Sequence, residues 1–342
     1  MVRMPTSKES PVQIDSISTP AARLGLLMRA AARWSAFPAA MSIYAAAVTA
    51  IRAQWFPRPE VALMGALLCT AALAAAAERT LPFRQDWAEV PIEERRIDRR
   101  SWLALVTIVD PILKLVVMPL LLSLAMNAAP WLSGLRLFPS NWSWPFQWLA
   151  AILLAEFGSY WMHRLAHGTS VMWGIHSFHH NPTRLYWLNG FRVNPLNMAW
   201  HQLASVFALK LLGAPDDIVQ TVIALGVVIG VMQHCNADVR YDGWNLFFGT
   251  ADLHRWHHAV NPDEAQSNFG TLTVFWDRVF GTYKRGHAGP NSVGIDGNVP
   301  ENAGYISDVW SAYRRNRGRG ARLAGPAAPP GAPEAAAAGH GR

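Results

Sequence analysis

Residues 160–180 read YWMHRLAHGTSVMWGIHSFHH, and residues 253–258 read LHRWHH. Together the two stretches hold eight of the 12 histidines of the chain, spaced HxxxH once and HxxHH twice. On an α-helix, positions i, i+3 and i+4 lie on one face, so each group presents its imidazoles in one general direction. Imidazole is a ligand for iron, zinc, copper and nickel. The spacing therefore predicts helices that bind metal.

The number of imidazoles exceeds what one metal ion needs. Zinc takes about four ligands, so eight donors are sufficient for two ions. The predicted ligands are His163, His167, His176, His179, His180, His254, His257 and His258. His201 and His234 are possible additional ligands or hydrogen-bonding neighbours of the ligands. His287 and His340 stand in polar sequence and are predicted to be ordinary surface residues.

The rest of the chain is unusually apolar. Of its 342 residues 51% are hydrophobic and 15% are charged, whereas about 25% are charged in an average globular domain. Disorder of the bulk of the chain is thereby excluded, and two cysteines exclude a disulfide scaffold. About 20 apolar helical residues cross a bilayer. Runs of that order predict about six spans, at 34–51, 61–77, 115–135, 137–155, 196–213 and 218–237.

The predicted architecture is an all-α, multi-pass membrane bundle capped by a His-rich helical domain. Residues 1–33 are an N-terminal segment and 34–144 are membrane helices. Residues 145–285 form the His-rich domain, which includes a membrane hairpin at 196–237. Residues 286–342 form a tail that is predicted to be disordered from about residue 318, where Gly, Ala, Pro and Arg dominate.

The distribution of arginine in the short connections predicts the orientation. Cytoplasmic loops are enriched in Lys and Arg. The connection 78–100 contains six arginines, whereas the turn 213–217 contains none. With six crossings, both termini and all three histidine groups lie on the cytoplasmic side. The net charge of +7 is explained by these loops, so no nucleic-acid partner is expected.

Three further features have a structural and a functional interpretation. Asp110 and Lys114 are four residues apart and would share a face of a helix. They could form an intramembrane ion site. The favoured interpretation is that they are paired charges on a helix that leads into the span beginning at residue 115. Cys235 is expected to be a small buried residue and not a thiolate ligand. Trp161, Trp173 and Trp256 stand beside the predicted ligands and are candidates for the wall of the site.

The histidine groups, with NFG at 268–270 and WDRVFGTY at 276–283, resemble the fatty acid hydroxylase/sterol desaturase superfamily. The resemblance covers about residues 145–285. A short gap between the first two boxes distinguishes the pattern from that of acyl-CoA desaturases. One departure is that many relatives have Arg-x-His-Pro where this chain has Arg-Val-Asn-Pro at 192–195. Asn194 is a poor iron ligand, and His201 is a possible replacement.

The resemblance implies an integral membrane, non-haem di-iron oxygenase in which the eight boxed histidines bind two iron ions. O2 and two electrons then convert a C–H bond into C–OH or into a double bond, and hydroxylation is favoured. The implied substrate is a membrane lipid such as a fatty-acyl chain or an ornithine lipid. The composition, rich in Ala, Arg, Gly and Pro, suggests a bacterial source, which favours an inner-membrane location and a membrane lipid over a sterol as the substrate.

The source of electrons is expected to be a separate protein. No cytochrome b5 signature, nucleotide fingerprint or iron–sulfur cysteine pattern stands in the sequence. The expected donor is therefore a reductase, a ferredoxin or a cytochrome.

Two other functions compete with the oxygenase. A membrane zinc hydrolase would need a general base such as the Glu of HExxH, and residues 163–167 read HRLAH. A metal or haem transporter would place histidines within the spans, whereas these groups gather at one end of them. Both remain less favoured alternatives.

Overall fold

The computed structural model describes residues 20–128, 137–286, 289–297 and 302–318. His287, His340 and the tail beyond residue 318 lie outside the described residues. Helices dominate, and β pairing within the described residues is limited to isolated bridges. The all-α prediction is confirmed. The helices are α1 Pro20–Arg52, α2 Pro59–Thr80, α3 Ile92–Ala128, α4 Trp144–Gly168, α5 Ser170–His180, α6 195–211, α7 Asp216–His234, α8 Ala251–His257, α9 Pro262–Ala265, α10 Phe275–Val279 and α11 Tyr305–Asn316.

Four of these helices, α1, α2, α3 and α7, are long and apolar enough to cross a membrane. The helices α4 and α6 occupy the other two predicted spans but do not meet the requirements of length and apolar composition together, although α4, with 25 residues, is longer than α7. The predicted count of about six spans is therefore not confirmed by length and composition. The predicted span 115–135 is the later part of α3, and its residues beyond 128 lie outside the described residues.

The centre of the bundle is α7, which packs against α1, α2 and α4. In the 18-residue apolar stretch of α7, 67% of the residues are buried, whereas 11% are buried in that of α3. Ile218, Leu225 and Ile229 of α7 are fully buried, whereas Leu115 and Leu120 of α3 are exposed. An exposed face of this kind requires lipid or another apolar surface to cover it.

One end of the bundle gathers the residues predicted to lie outside the cell. The Arg52 guanidinium lies 4.4 Å from the ring centroid of Trp144, and the indole N–H of Trp144 donates to Asp217 at 3.2 Å. These residues are the last of α1, the first of α4 and the second of α7. The helix α6 ends near here too, where Lys210 pairs with Asp216.

The opposite end gathers the residues predicted to lie inside. Arg33 of α1 pairs with Asp238, which follows α7, at 2.8 Å. The carboxylate of Glu78, near the end of α2, accepts the backbone N–H of Trp187 at 2.7 Å and that of Asn236 at 2.9 Å. The contacts at both ends match the alternation predicted from the arginines. Both α4 and α6 run from one end to the other.

Two wide π-helical turns interrupt α3, at Leu105–Val109 and Leu113–Val117. Each of them directly precedes a turn that contains a proline, Pro111 or Pro119. Proline has no N–H to donate and its ring displaces the preceding carbonyl, so the helix widens there. Asp110 and Lys114 lie here and pair at 2.8 Å. The predicted pairing is confirmed, and Gln202 of α6 also donates to Asp110 at 3.0 Å.

The helix α11 covers the second histidine box. Its Ala312 is fully buried and packs with Phe178 of α5 and Ile97 of α3. The Ser177 hydroxyl donates to the carbonyl oxygen of Ala312 at 3.3 Å. The segment predicted as a tail from residue 286 therefore contains a packed helix before residue 318.

Candidate metal centre

Three helices carry the predicted ligands to one place. His163 and His167 occupy the last two turns of α4, which ends at Gly168 where Thr169 adopts an extended conformation. The chain reverses there into α5, which carries the second box to its end at His180. The helix α8 carries the third box after the hairpin of α6 and α7.

The imidazoles form two sets, and one nitrogen from each member lies within 4.8 Å of those from the other members of its set. All nine side chains are buried. The first histidine set is His163, His167, His176, His180 and His257, and the second histidine set is His179, His234, His254 and His258. The eight predicted ligands are thus brought together, and His234 joins them.

Each HxxHH box is divided between the sets, which differs from the expectation that a box points in one direction. His176 and His180 join the first set while His179 joins the second, and His257 leaves its neighbours for the first set. The reason is helical geometry at about 100° per residue. Positions i and i+4 are about 40° apart, but i+3 and i+4 are about 100° apart, so the middle histidine faces a different neighbour.

The distances between nitrogens suit shared coordination. In the first set Nε2 of His176 lies 3.0 Å from Nε2 of His163 and 3.1 Å from that of His180. In the second set Nε2 of His234 lies 3.1 Å from that of His254 and 3.3 Å from that of His179. Two nitrogens bound at about 2.1 Å to one ion, at about 90–109°, would be about 3.0–3.4 Å apart.

The hydrogen bonds of the other ring nitrogen decide the tautomers in the first set. Nδ1 of His163 lies 2.8 Å from the carbonyl oxygen of Phe269, and Nδ1 of His176 lies 2.7 Å from Oδ1 of Asn197. Because each oxygen only accepts, each Nδ1 carries the proton and donates. In a neutral imidazole Nε2 is then an unprotonated lone pair. Two lone pairs 3.0 Å apart repel each other unless a cation lies between them.

The second set repeats this arrangement. Nδ1 of His179 donates to the carbonyl oxygen of Arg192 at 3.2 Å, and Nδ1 of His234 donates to that of Gly230 at 3.1 Å. Their Nε2 atoms face each other at 3.3 Å. The donor chemistry of both sets therefore fits a transition-metal ion, for which neutral imidazole is a common ligand.

Burial keeps the imidazoles neutral. Desolvation, followed by repulsion from neighbouring imidazoles, lowers the pKa of His180 and of His258 well below the usual histidine range. The pKa of His257 is also lowered, again chiefly by burial. Nitrogens that stay unprotonated at neutral pH are available as ligands.

Several buried ring nitrogens have no hydrogen-bond partner. Among the described residues nothing bonds to either ring nitrogen of His167 or to Nε2 of His257. Such buried polar atoms are usually satisfied in folded proteins. A bound metal ion would satisfy Nε2 of His257 and one of the two ring nitrogens of His167.

Three other residues considered in the sequence analysis, His201, Asn194 and Cys235, lie outside both histidine sets. Nδ1 of His201 lies 2.8 Å from Oγ of Ser159, and its ring centroid is 5.6 Å from that of His163, so it borders the first set without joining it. The side chain of Asn194 caps α6 by accepting the N–H of Leu196 at 2.9 Å. Cys235 is buried, and its Sγ lies 3.6 Å from the carbonyl oxygen of Ala74.

One of the three candidate wall tryptophans contacts the sets. The ring of Trp173 lies 5.0 Å from that of His167 and 5.3 Å from that of His180. Trp161 packs instead against Phe280 at 4.9 Å. The indole of Trp256 reaches the carbonyl oxygen of Gly286 at 3.4 Å.

The loop 267–271 was not predicted to orient the ligands. The carbonyl oxygens of Ser267 and Phe269 accept the Nδ1 protons of His257 at 2.9 Å and His163 at 2.8 Å. The carboxylate of Asp277 holds this loop by accepting the N–H groups of Phe269 and Gly270, both at 2.8 Å. The only sequence signal for this role is the acidic residue of WDRVFGTY.

A buried acid in the apolar helix α4 holds the same loop. The carboxylate of Glu156 accepts the backbone N–H of Thr271 at 2.5 Å and that of Leu272 at 2.9 Å. The chain is thus held at Phe269, whose carbonyl orients His163, and at the three residues that follow it.

This region is similar to known proteins. The model of the Fatty acid hydroxylase family matches residues 148–282. The ornithine lipid hydroxylase OlsE of Rhizobium tropici is 30% identical over 182 residues, covering 52% of this chain and 54% of that protein. The alkylglycerol monooxygenase of Homo sapiens is 28% identical over 149 residues, covering 44% and 33% respectively. That of Xenopus tropicalis is 26% identical over 148 residues, covering 43% and 33%.

The chain thus spans about half the length of the first of these relatives and a third of the other two. No solved structure matches the chain significantly. The matched residues 148–282 contain all nine imidazoles of the two sets. Through this region the chain is similar to the fatty acid hydroxylase family.

Proposed function

We propose that this chain is a membrane-bound di-iron monooxygenase that hydroxylates a membrane lipid with O2 and two electrons from a separate donor. The observation that carries the proposal is the pair of facing histidine sets whose Nε2 lone pairs lie 3.0–3.3 Å apart. The names of two relatives, an ornithine lipid hydroxylase and an alkylglycerol monooxygenase, support hydroxylation of a lipid over desaturation.

The proposed ligands are the nine members of the two sets. Bound iron would supply, with O2 and electrons, the oxidising power that a C–H bond needs, because such a bond offers no handle to acid–base chemistry. The chain supplies neutral nitrogen donors throughout, which leave the charge of the metals uncompensated. The carbonyls of Phe269 and Ser267 and the amide of Asn197 orient three of the five first-set rings, those of His163, His257 and His176.

Aromatic rings shield the first set from water. The ring of Phe269 lies 5.3 Å from that of His167, and Trp173 covers the same imidazole at 5.0 Å. Phe269 and Trp173 are themselves buried. Exclusion of water protects a reactive oxidant from side reactions.

The contact between the second and third histidine boxes supports six crossings of the membrane. The helix α7 separates the second box from the third and is long enough to span the membrane. Because the two boxes meet, a second crossing must return the chain to the same side, and α6 runs between them. By the same reasoning α4 returns the chain after α1, α2 and α3. The arginines of 78–100 assign this side to the cytoplasm, where a reductase, ferredoxin or cytochrome would deliver electrons.

Lipid mass spectrometry of cells with and without the gene tests the reaction. A lipid that gains one oxygen atom only when the gene is present is the expected result, and it identifies substrate and reaction together. Loss of two hydrogen atoms would instead identify a desaturase.

Metal analysis of the purified full-length protein tests the centre independently of the substrate. Two iron ions per chain, reducible and reoxidised by O2, are expected. Tightly held zinc together with lipid hydrolysis would contradict the proposal and favour a hydrolase.

A further inference from the structure

Three acids of the N-terminal helices, which lie outside the family match, contact a segment that borders the histidine centre; two of them are buried and Glu78 is partly buried. Glu78 lies in α2, whereas Glu94 and Asp98 lie one turn apart in α3. Glu94 is 5% exposed and Asp98 is fully buried. All three contact the segment 183–192, which follows the second box.

Asp98 is the centre of these contacts. One of its oxygens pairs with Nε of Arg192, whose side chain is also buried. Its other oxygen accepts the hydroxyl of Tyr186 at 2.6 Å and the side-chain amide of Asn189 at 3.1 Å. A buried guanidinium is tolerated only when such a partner compensates its charge.

Glu94 and Glu78 extend the same attachment. Glu94 accepts the hydroxyl of Thr183 at 2.7 Å, and its backbone carbonyl accepts Nη2 of Arg192 at 3.3 Å. Glu78 accepts the N–H of Trp187 at 2.7 Å and also that of Asn236, two residues after His234. The segment 183–192 is thus held at five positions, Thr183, Tyr186, Trp187, Asn189 and Arg192.

This segment in turn contacts two members of the second histidine set. The carbonyl oxygen of Arg192 accepts the Nδ1 proton of His179 at 3.2 Å. A Cβ added to Gly190 would lie 3.2 Å from Nδ1 of His234, so the backbone there lies directly against that imidazole. His179 and His234 are the pair whose Nε2 atoms face each other at 3.3 Å.

The first set is oriented differently. The three hydrogen-bond acceptors identified for its Nδ1 protons are Phe269, Ser267 and Asn197, all within residues 148–282. The N-terminal acids therefore act on one set and not on the other.

We propose that Asp98, acting through Arg192, is a positioning residue for the second metal ion, and that the N-terminal helices thereby complete half of the centre. The proposal rests on the two-metal centre of the proposed function. Loss of Asp98 would leave the Arg192 guanidinium buried without its principal partner. The Arg192 carbonyl would then move, and His179 would lose the acceptor that fixes its ring.

Metal content of the full-length protein in detergent, loaded with Co2+ and freed of excess ion, measures the effect. The wild type is expected to hold two ions, and Asp98→Asn about one. The matched control is Asp238→Asn, which removes another Asp–Arg pair at the same end of the bundle, with half-exposed side chains. It is expected to hold two ions.

The visible spectrum of bound Co2+ shows which ion is lost. Asp98→Asn is expected to give the spectrum of His258→Ala, a second-set variant, and not that of His167→Ala, a first-set variant. Retention of both ions with unchanged affinity, or equal loss from both sets, would overturn the inference. A wild type that binds no pair of ions would overturn the proposed function itself.

A conservative variant keeps the test decisive if Asp98→Asn does not fold. Arg192→Lys keeps the positive charge but loses the planar fork that reaches both Asp98 and the Glu94 carbonyl. Its affinity for the second Co2+ ion is expected to fall about 10–100-fold, the usual effect of losing an outer partner of a ligand, with the first ion unchanged. An unchanged second affinity would reject the role of Arg192 and with it that of Asp98.

Discussion

At the scale of single residues, five of the nine imidazoles are oriented by an identified acceptor for the Nδ1 proton. Four of these protons go to backbone carbonyls, at Phe269, Ser267, Arg192 and Gly230. His176 differs, because its acceptor is the side chain of Asn197. A side-chain acceptor can be removed by substitution, whereas a carbonyl cannot.

Asn197→Leu is expected to weaken metal binding at the first set by about 10–100-fold without unfolding the chain. Leucine keeps the volume of the side chain but cannot hold the His176 ring in its tautomer. Equilibrium metal titration of the purified protein measures the change. Asn197→Asp keeps an acceptor and should restore most of the affinity, while Asn127→Leu, on the exposed side of α3, is a neutral control. Equal affinities in all three variants would contradict the role of Asn197.

His257→Ala is expected to remove one donor of the first set and to reduce lipid product to background. The His257 ring lies 4.4 Å from that of His163 and 4.6 Å from that of His167, both of which are proposed ligands of the same ion. Product by lipid mass spectrometry and insertion by membrane fractionation are measured together. His287→Ala, a predicted bystander, should retain product. Full activity of His257→Ala in correctly inserted protein would reject it as a ligand.

At the scale of elements, the approach of α4 and α6 places the first set against its neighbours. A Cβ on Gly158 would lie 1.9 Å from the carbonyl oxygen of Ala204, so only glycine permits this distance. One turn later along α4 stands His163, and from α6 come Asn197 and His201. The helix separation at Gly158 therefore controls whether Asn197 reaches its imidazole.

Gly158→Ala is expected to force the two helices apart and to cost about 1–3 kcal/mol, the usual penalty for overpacking. A fall in the melting temperature, with a lower metal content, is the expected observation in detergent-purified protein. Gly65→Ala in α2 is the matched control, since nothing lies within 4 Å of the added Cβ. If both variants melted alike, the close contact would have no energetic importance.

At the scale of the whole molecule, the pairing of helix ends leads to a topology that can be tested by fusions. A fluorescent reporter that folds only in the cytoplasm is expected to be active after residue 90 and after residue 317. A periplasmic phosphatase reporter is expected to be active after residue 55 and after residue 213. Phosphatase activity after residue 90 would reverse the orientation. Fluorescence of the cytoplasmic reporter after residue 213 would contradict the proposed membrane crossing by α6.

The sequence predicted which imidazoles come together but not the hydrogen-bond acceptors that orient them. The boxes were found because imidazoles at i, i+3 and i+4 carry both a chemistry and a periodicity. His234 was left open, because a lone histidine in an apolar helix has no such pattern. The carbonyls of Ser267 and Phe269 were missed since any residue provides a carbonyl, and only tertiary structure decides where it points.

The elements show the same division between local and long-range signals. The start of α4 follows from Pro145, which suits the first turn of a helix. The continuity of α3 from Ile92 was not predicted, because its first turns are rich in charge and resemble a loop. Asp98 was hidden among those charges, and only its partner Arg192, 94 residues away, reveals its role.

The division of the second and third boxes between the sets has a consequence for the order of events on the ribosome. Four of the five imidazoles in the first set precede residue 181, whereas three of the four in the second set follow residue 233. At about 5–20 residues per second, several seconds of synthesis separate these two groups. A nascent chain synthesised as far as residue 233 therefore has four of the five imidazoles of the first set but only one of the four in the second. If each set holds a metal ion, as proposed, the first set gathers most of its donors before the second.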